Sequence, residues 1–327
     1  LGSQISEKSE RVECDFLLGT LSQTLYHFVV SEYKMISKKL LLLPWLFCLI
    51  ISPFLVEEAG SAKILNIAFM STKSHKITYE PLLRELAKKG HEITIVNPNP
   101  GKAEKNIRYV QTIDPEQLWK TMPNMFEMKL NMPAILNLIQ NPYIFMGKRS
   151  KHICEESFKL PQVRQILEEK FDLVFFPALF NECIYGLIHK LNTSVVLYNQ
   201  AGVIPWMADT LGTPSPPSFV SAAMLANADR MGFLTRIWNI INVAIDWSIL
   251  QFYYYPMIQN MYREALNDPT IPSIKEIESN VSIILANSQI SFNQPRPLMP
   301  DIIEVGGMHL VPAKPVQPKE LDDFLSG

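Results

Sequence analysis

The stretch "AKILNIAFMSTKSHKITYEPLLRELAKKGHEITIVNP", residues 62–98, changes its hydrophobic period twice, and this change constrains the fold more than any other feature of the chain. Residues 64–70 form a short apolar run bounded by polar residues, the pattern of a buried strand. Helical spacing follows. Ile77, Leu82, Leu83, Leu86 and Ala87 fall on one face, and Gly90 stands where such a helix is capped. Residues 91–96 are apolar again. Strand, helix and strand within about thirty residues imply a right-handed crossover unit, and hence a parallel sheet of the α/β class.

In such sheets ligands bind beyond the carboxyl ends of the strands, which places residues 71–75 where chemistry is expected. This loop lacks glycine, whereas a dinucleotide site needs a G-x-G-x-x-G turn there, so no nicotinamide or flavin cofactor is expected. The loop offers His75 instead. Lying near the positive end of the following helix dipole, its imidazole is biased towards the neutral form, which accepts a proton. His75 is therefore a candidate general base. A solvated or capping histidine suits the same position, and position alone does not separate the two readings.

The pattern recurs at "FDLVFFPALFNECIYGLIHKLNTSVVLYNQ". Residues 173–176 are a buried strand ended by Pro177; Asn181 is placed to cap a helix with Glu182 in its first turn, and "TSVVLYNQ" is the next strand. Glu182 thus shares a sheet edge with His75. It is a candidate catalytic acid, or simply a complement to the helix dipole. Residues 118–139 are helical in spacing and rich in methionine, which suits a pocket for varied apolar ligands and an ordinary core equally. Residues 233–258 are apolar and aromatic, but Arg236, Asn239, Asn242, Asp246 and Ser248 interrupt them. A buried helix, or one lying against a membrane, is expected there rather than a span. Residues 281–286 read as a further buried strand, and another strand ends at Gly306 and Gly307.

With 47% hydrophobic and 19% charged residues the chain can bury a large core, and its net charge of -2, with no basic stripe, argues against a nucleic-acid partner. Lys38 and Lys39, the apolar run 40–56 and the small residues Gly60, Ser61 and Ala62 follow Met35 in the order of a secretory signal peptide. The run has 17 residues and contains Pro44 and Pro53, which is short for a membrane span. Residues 1–34 precede this start and are expected to be leader or extension that does not pack. Beyond the signal, Cys154 and Cys183 remain; they can pair in an oxidising lumen, although their spacing does not demand it, and no cluster has zinc-site spacing. Asn192-Thr193-Ser194 and Asn280-Val281-Ser282 match the glycosylation acceptor pattern and point weakly to a lumenal setting.

The blocks "SHKITYEPLLRELAKKGHEITIVNP", "FDLVFFPALFNECIYG", "GTPSPPSFV", "LANSQISFNQPRPLMPDIIEVGGMHL" and "LDDFLSG" occur in this order, and together they resemble the animal UDP-glycosyltransferases, the insect members in particular. The resemblance implies the GT-B arrangement of two facing Rossmann-like domains, with the acceptor bound by the amino-terminal one and the UDP-sugar mainly by the carboxy-terminal one. It implies inverting transfer of glucose or glucuronic acid to small lipophilic acceptors on the lumenal side of the endoplasmic reticulum. The family's catalytic histidine falls on His75. Its acidic partner falls on Glu182, the acid before the cysteine in insect relatives; many other relatives carry an aspartate where this chain has Pro177. UDP-sugar enters as co-substrate, and no resident cofactor or metal is implied.

The family's UDP-sugar signature, membrane helix and basic tail would all follow Gly327. The expected organisation is therefore a leader over 1–34, a signal peptide over 35–62, an acceptor-binding domain over 63–312, and over 313–327 a linker with the start of a donor domain. An acceptor half alone is expected to be inactive. The alternative is a short product that binds lipophiles or modulates a dimer without catalysis. The partners implied are a small lipophilic acceptor, UDP-sugar and the membrane, the last two through the missing half, with self-association left open.

Overall fold

The computed structural model describes residues 60–102, 104–114, 141–222, 230–289, 291, 293, 296–312 and 317–326. The expected leader, residues 35–59 of the expected signal peptide, the methionine-rich stretch 118–139 and residues 313–316 of the expected linker lie outside the described residues. Every described element falls in the unit Ser61–Gly327.

Seven strands build one sheet: β1 (Lys63–Ile67), β2 (Glu92–Asn97), β3 (Ile107–Gln111), β4 (Leu173–Pro177), β5 (Ser194–Asn199), β6 (Ile283–Ala286) and β7 (Ile302–Glu304). They lie in the order β3-β2-β1-β4-β5-β6-β7, and every neighbouring pair is parallel. The strand order reverses between β1 and β4, where Ile64 stands opposite Leu173. The expected Rossmann-like α/β sheet is what forms.

Side-chain alternation explains why the strands read as unbroken apolar runs. Leu65, Ile67, Val174, Phe176 and Leu197 point into one large core. Ile64, Ile93, Ile95, Phe175 and Tyr198 point into a second core on the opposite face. A strand buried on both faces has no polar side to show.

The larger core is covered by α3 (Pro142–Lys159), α4 (Pro161–Ile166), α5 (Ile184–Leu191), α6 (Pro205–Thr210), α8 (Tyr255–Ala265) and α9 (Ile274–Glu278). The smaller one lies under α2 (Glu80–Lys88) through Tyr79, Leu83 and Ala87. Before α2 stands a separate short helix, α1 (Lys73–Ile77). The single helix expected over this region is thus two. Thr78 Oγ1 turns back to donate to His75 O at 2.6 Å, and Pro81 opens the new helix, which ends near Gly90 at φ 101°. The segment closes with α10 (Lys319–Ser326).

Helix α7 (Phe233–Ile249) runs through a π turn, Leu250–Tyr254, into α8. Its polarity is inverted. Asn239 is buried, accepting from Ala222 N and donating to Pro217 O and Val220 O. Asp246, a further seven positions on, accepts from Asn141 Nδ2 at 2.7 Å. Phe233, Leu234, Ile237, Trp238, Ile240, Ile241 and Trp247 face solvent. The buried alternative expected for residues 233–258 therefore holds only for their second part, where Leu250, Tyr254, Tyr255 and Ile258 enter the larger core; on α7 itself Asn239 and Asp246 meet the protein while most of the apolar residues stay exposed. No helix among the described residues is long and apolar enough to cross a membrane.

Candidate functional site

Where the strand order of an open parallel sheet reverses, the loops leaving the two central strands part and create a crevice. Here the loops after β1 and β4 flank that crevice, and one side chain joins them. Asn181 is fully buried; its Oδ1 accepts from Met70 N at 2.8 Å and its Nδ2 donates to Met70 O at 3.0 Å. The amide thereby copies a strand partner for the β1 loop. Asn181 does not cap α5, which begins at Ile184 with Cys183 as N-cap. Phe180, at φ 59°, supplies the turn that aims Asn181, and Ser150 Oγ holds its carbonyl at 2.7 Å.

The β1 loop is held on its other side by β2. Asn99 Nδ2 donates to Ser71 O at 2.7 Å, and Lys76 Nζ donates to Asn99 O at 2.8 Å. Lys76 is buried, so its charge needs a partner. Glu80 provides one at 3.0 Å and is shared with Arg84. These contacts hold α1, whose N-cap Thr72 accepts from His75 N through Oγ1 at 3.2 Å.

His75 is half-buried, on the third residue of this helix rather than in a loop. Burial lowers its imidazole below the ordinary value. This is the expected direction, and burial supplies a cause for it. The side-chain partner of His75 is Gln200, just beyond β5, with Nε2 3.3 Å from Nδ1. As placed, the amide nitrogen donates and Nδ1 accepts. A half-turn of the amide would present Oε1 instead, which is buried without a hydrogen-bond partner. Asn287 steadies this residue, donating from Nδ2 to Gln200 O at 3.2 Å and from its backbone to Asn199 O at 2.8 Å.

Glu182 lies elsewhere. It is 3% exposed, makes neither hydrogen bond nor ion pair with His75, and accepts a short hydrogen bond from the Tyr254 hydroxyl. Burial pushes its carboxyl up to about 8, against the hydrogen bond from Tyr254, so the acid is largely neutral at pH 7. A second acid, Glu278, shares this interior; it accepts from Tyr185 Oη at 2.9 Å and Thr210 Oγ1 at 3.3 Å, and burial pushes it up to about 7. Tyr254 reaches Glu182 because Gly147 on α3 leaves room: a Cβ there would stand 2.8 Å from the tyrosine ring. A disulfide joins the adjacent Cys183 to Cys154.

The edge therefore presents a neutral imidazole in a frame of amides, with the expected acid turned into the core. Gln200, Tyr254 and Glu278 were not singled out in the sequence, and Asn181 was given the wrong task. One signal was present: asparagine or glutamine ends or follows several apolar runs, at Asn97, Asn199, Gln200 and Asn287.

Residues 62–327 match the family described as UDP-glucoronosyl and UDP-glucosyl transferase. The chain belongs to this family. Its relatives include UDP-glucosyltransferase 2 of Dactylopius coccus, 27% identical over 83% of this chain and 52% of the relative. UDP-glucuronosyltransferase 2B18 of Macaca fascicularis is 26% identical over 83% of the chain and 53% of the relative, and UDP-glucuronosyltransferase 2B7 of Homo sapiens 25% identical over the same shares. The chain spans about half the length of these curated relatives. As a member of the UDP-glycosyltransferase family it carries His75 on the short helix that follows the first strand of a GT-B type sheet, with the amide of Gln200 beside its ring.

Proposed function

We propose that the chain is the acceptor-binding half of an inverting UDP-glycosyltransferase, acting on small lipophilic alcohols or phenols with glucose or glucuronic acid as the sugar. The observation that carries this reading is His75: half-buried, biased towards the neutral form and held at one ring nitrogen beside the crevice. A base of this kind takes the proton of the acceptor hydroxyl. The oxygen attacks the anomeric carbon as the bond from that carbon to the diphosphate breaks, UDP leaves, and the configuration inverts. With Oε1 of Gln200 turned towards Nδ1, the ring keeps its proton there and presents the Nε2 lone pair to the acceptor. Glu182 acts in this reading through structure, by fixing Tyr254 and the turn before α5, rather than by touching the histidine.

Residues 63–312 form the acceptor domain in this reading, and residues 313–327 lead towards a donor domain. That domain supplies UDP-sugar binding and brings the two substrates together, so acceptor residues alone transfer nothing. A lumenal setting at the endoplasmic reticulum is supported by the signal pattern of residues 35–62 and by the disulfide Cys154–Cys183, a bond that oxidising compartments preserve.

The test is His75→Ala in the full-length protein, assayed with UDP-glucose and UDP-glucuronate against a fluorescent phenol. Turnover is expected to fall about 10²–10⁴-fold, the ordinary contribution of a general base, with acceptor affinity little changed. Turnover at the wild-type rate removes His75 from the mechanism.

A further inference from the structure

The edge of the sheet opposite His75 carries a feature that this function does not use. The chain contains two glycosylation acceptor triplets, Asn192-Thr193-Ser194 and Asn280-Val281-Ser282, far apart in sequence. Folding brings them side by side. One leads into β5 and the other into β6, and these strands are parallel neighbours in near-matching register, with Val196 opposite Ile283 and Ser282 N donating to Val195 O at 3.1 Å. Asn192 and Asn280 both line a single open groove of about 400 Å³. Its floor is apolar, from Ile188, Val195, Pro272 and Ile277. Both asparagines are exposed, as are the hydroxyl residues Ser194 and Ser282.

We propose that Asn192 and Asn280 are both N-glycosylated, and that this amino edge of the sheet is a sugar-covered face of the protein. The donor is a lipid-diphosphate-linked oligosaccharide. The asparagine Nδ2 attacks the anomeric carbon of its first sugar; the bond from that carbon to the diphosphate breaks, an N–C bond forms, Nδ2 loses one proton, and lipid diphosphate departs. The folded geometry accommodates the product at both positions. Asn192 is the left-handed residue that ends α5, at φ 47°, a backbone role that a sugar on Nδ2 leaves intact. Asn280 donates one Nδ2 hydrogen to Glu276 O at 3.0 Å, and substitution uses the other. The sugars stand at the amino ends of the strands, whereas His75 and Gln200 stand at the carboxyl ends, so the crevice stays open. The proposal rests on the lumenal reading of residues 35–62.

The full chain, expressed from Met35 in a eukaryotic cell line, tests both. Enzymatic release of N-glycans in heavy-oxygen water converts each occupied asparagine to labelled aspartate. Labelling is expected at both positions, with two mobility steps on a gel. Ser194→Ala and Ser282→Ala should each abolish one step while leaving both asparagines in place. A lumenal, protease-protected chain with either asparagine unlabelled overturns the paired assignment and leaves the lumenal reading standing. A chain that protease digests without membrane disruption, with residues 35–62 retained, overturns both.

Discussion

Rising pH is expected to destabilise this fold through the neutral range, because two carboxylic acids are buried where their charged forms are costly. Burial raises Glu182 from 4.5 to about 8 and Glu278 from 4.5 to about 7. Folding therefore favours the protonated form of each. The unfolded chain loses these protons near pH 4.5, so between there and pH 8 it binds fewer protons than the folded one, and stability falls as pH rises. The stabilising effect is complete below the unfolded value, is lost as pH climbs through the folded values, and changes no further above them. One unit corresponds to about 1.4 kcal/mol, which bounds the loss from Glu182 at about 5 kcal/mol and that from Glu278 at about 3 kcal/mol. The two carboxyls also repel when charged, so the terms do not add. Either is large against the 5–15 kcal/mol typical of a folded domain, about a third of which could vanish between pH 5 and 8. Glu182→Gln isolates the effect: the amide oxygen still accepts from Tyr254, and it does not titrate. Urea midpoints measured from pH 5 to 9 should fall steeply for the wild type and more gently for the variant, which becomes the more stable of the two at the alkaline end. Parallel curves would refute the reasoning, since they would place the titrating groups elsewhere.

Reduction of Cys154–Cys183, separated by 29 residues, is expected to cost about 3–4 kcal/mol through the freedom regained by the unfolded chain, read as a lower urea midpoint in dithiothreitol. Gly147→Ala places a Cβ 2.8 Å from the Tyr254 ring; overpacking of about 1–3 kcal/mol should exceed the gain in helix propensity of about 1 kcal/mol, and an unchanged midpoint would show that the ring yields. Gln200→Glu should raise the pH at which the His75 imidazole titrates, measured by its ring proton resonances, and should move the acid limb of the full-length enzyme's pH profile in the same direction. If neither moves, Gln200 does not hold His75.

The sheet was legible because its strands are short apolar runs of a kind that no helix face reproduces, and because each is followed by turn residues. Strands β2, β4, β5 and β6 fall within two residues of where the pattern puts them, β1 ends three residues before the apolar run does, and β7 ends two residues before the expected glycines. His75 was legible through its place after the first strand. What escaped depends on contacts that spacing cannot encode. Asn181 looks like a cap, and only the approach of the β1 loop shows that its amide grips Met70. Glu182 follows it directly, and one further residue of rotation turns its carboxyl inward to Tyr254, 72 positions away. Helix α7 misled through composition: it is apolar enough to suggest burial, yet Asn239 and Asp246 lie on the face that meets the protein, and counting apolar residues does not reveal which face that is.

On the proposed reaction, the choice of an amide beside His75 has a cost and a benefit that follow from charge. The imidazole must be neutral before the acceptor's proton leaves and cationic afterwards. A carboxylate at Nδ1 would favour the cation at both stages, stabilising the transition state but also holding part of the enzyme in the protonated, unreactive form. Burial biases His75 towards the neutral form at the outset, and Glu182, largely neutral at pH 7, is committed to Tyr254. Among the described residues no carboxylate is paired with His75, so the cation that forms there draws no local counter-charge from them. The same step creates one: as the proton moves to the ring, the departing UDP gains a negative charge on its diphosphate. The imidazolium and the leaving group can balance each other only when both substrates occupy one crevice, so the chemistry of His75 is tied to closure of the acceptor domain on its donor half.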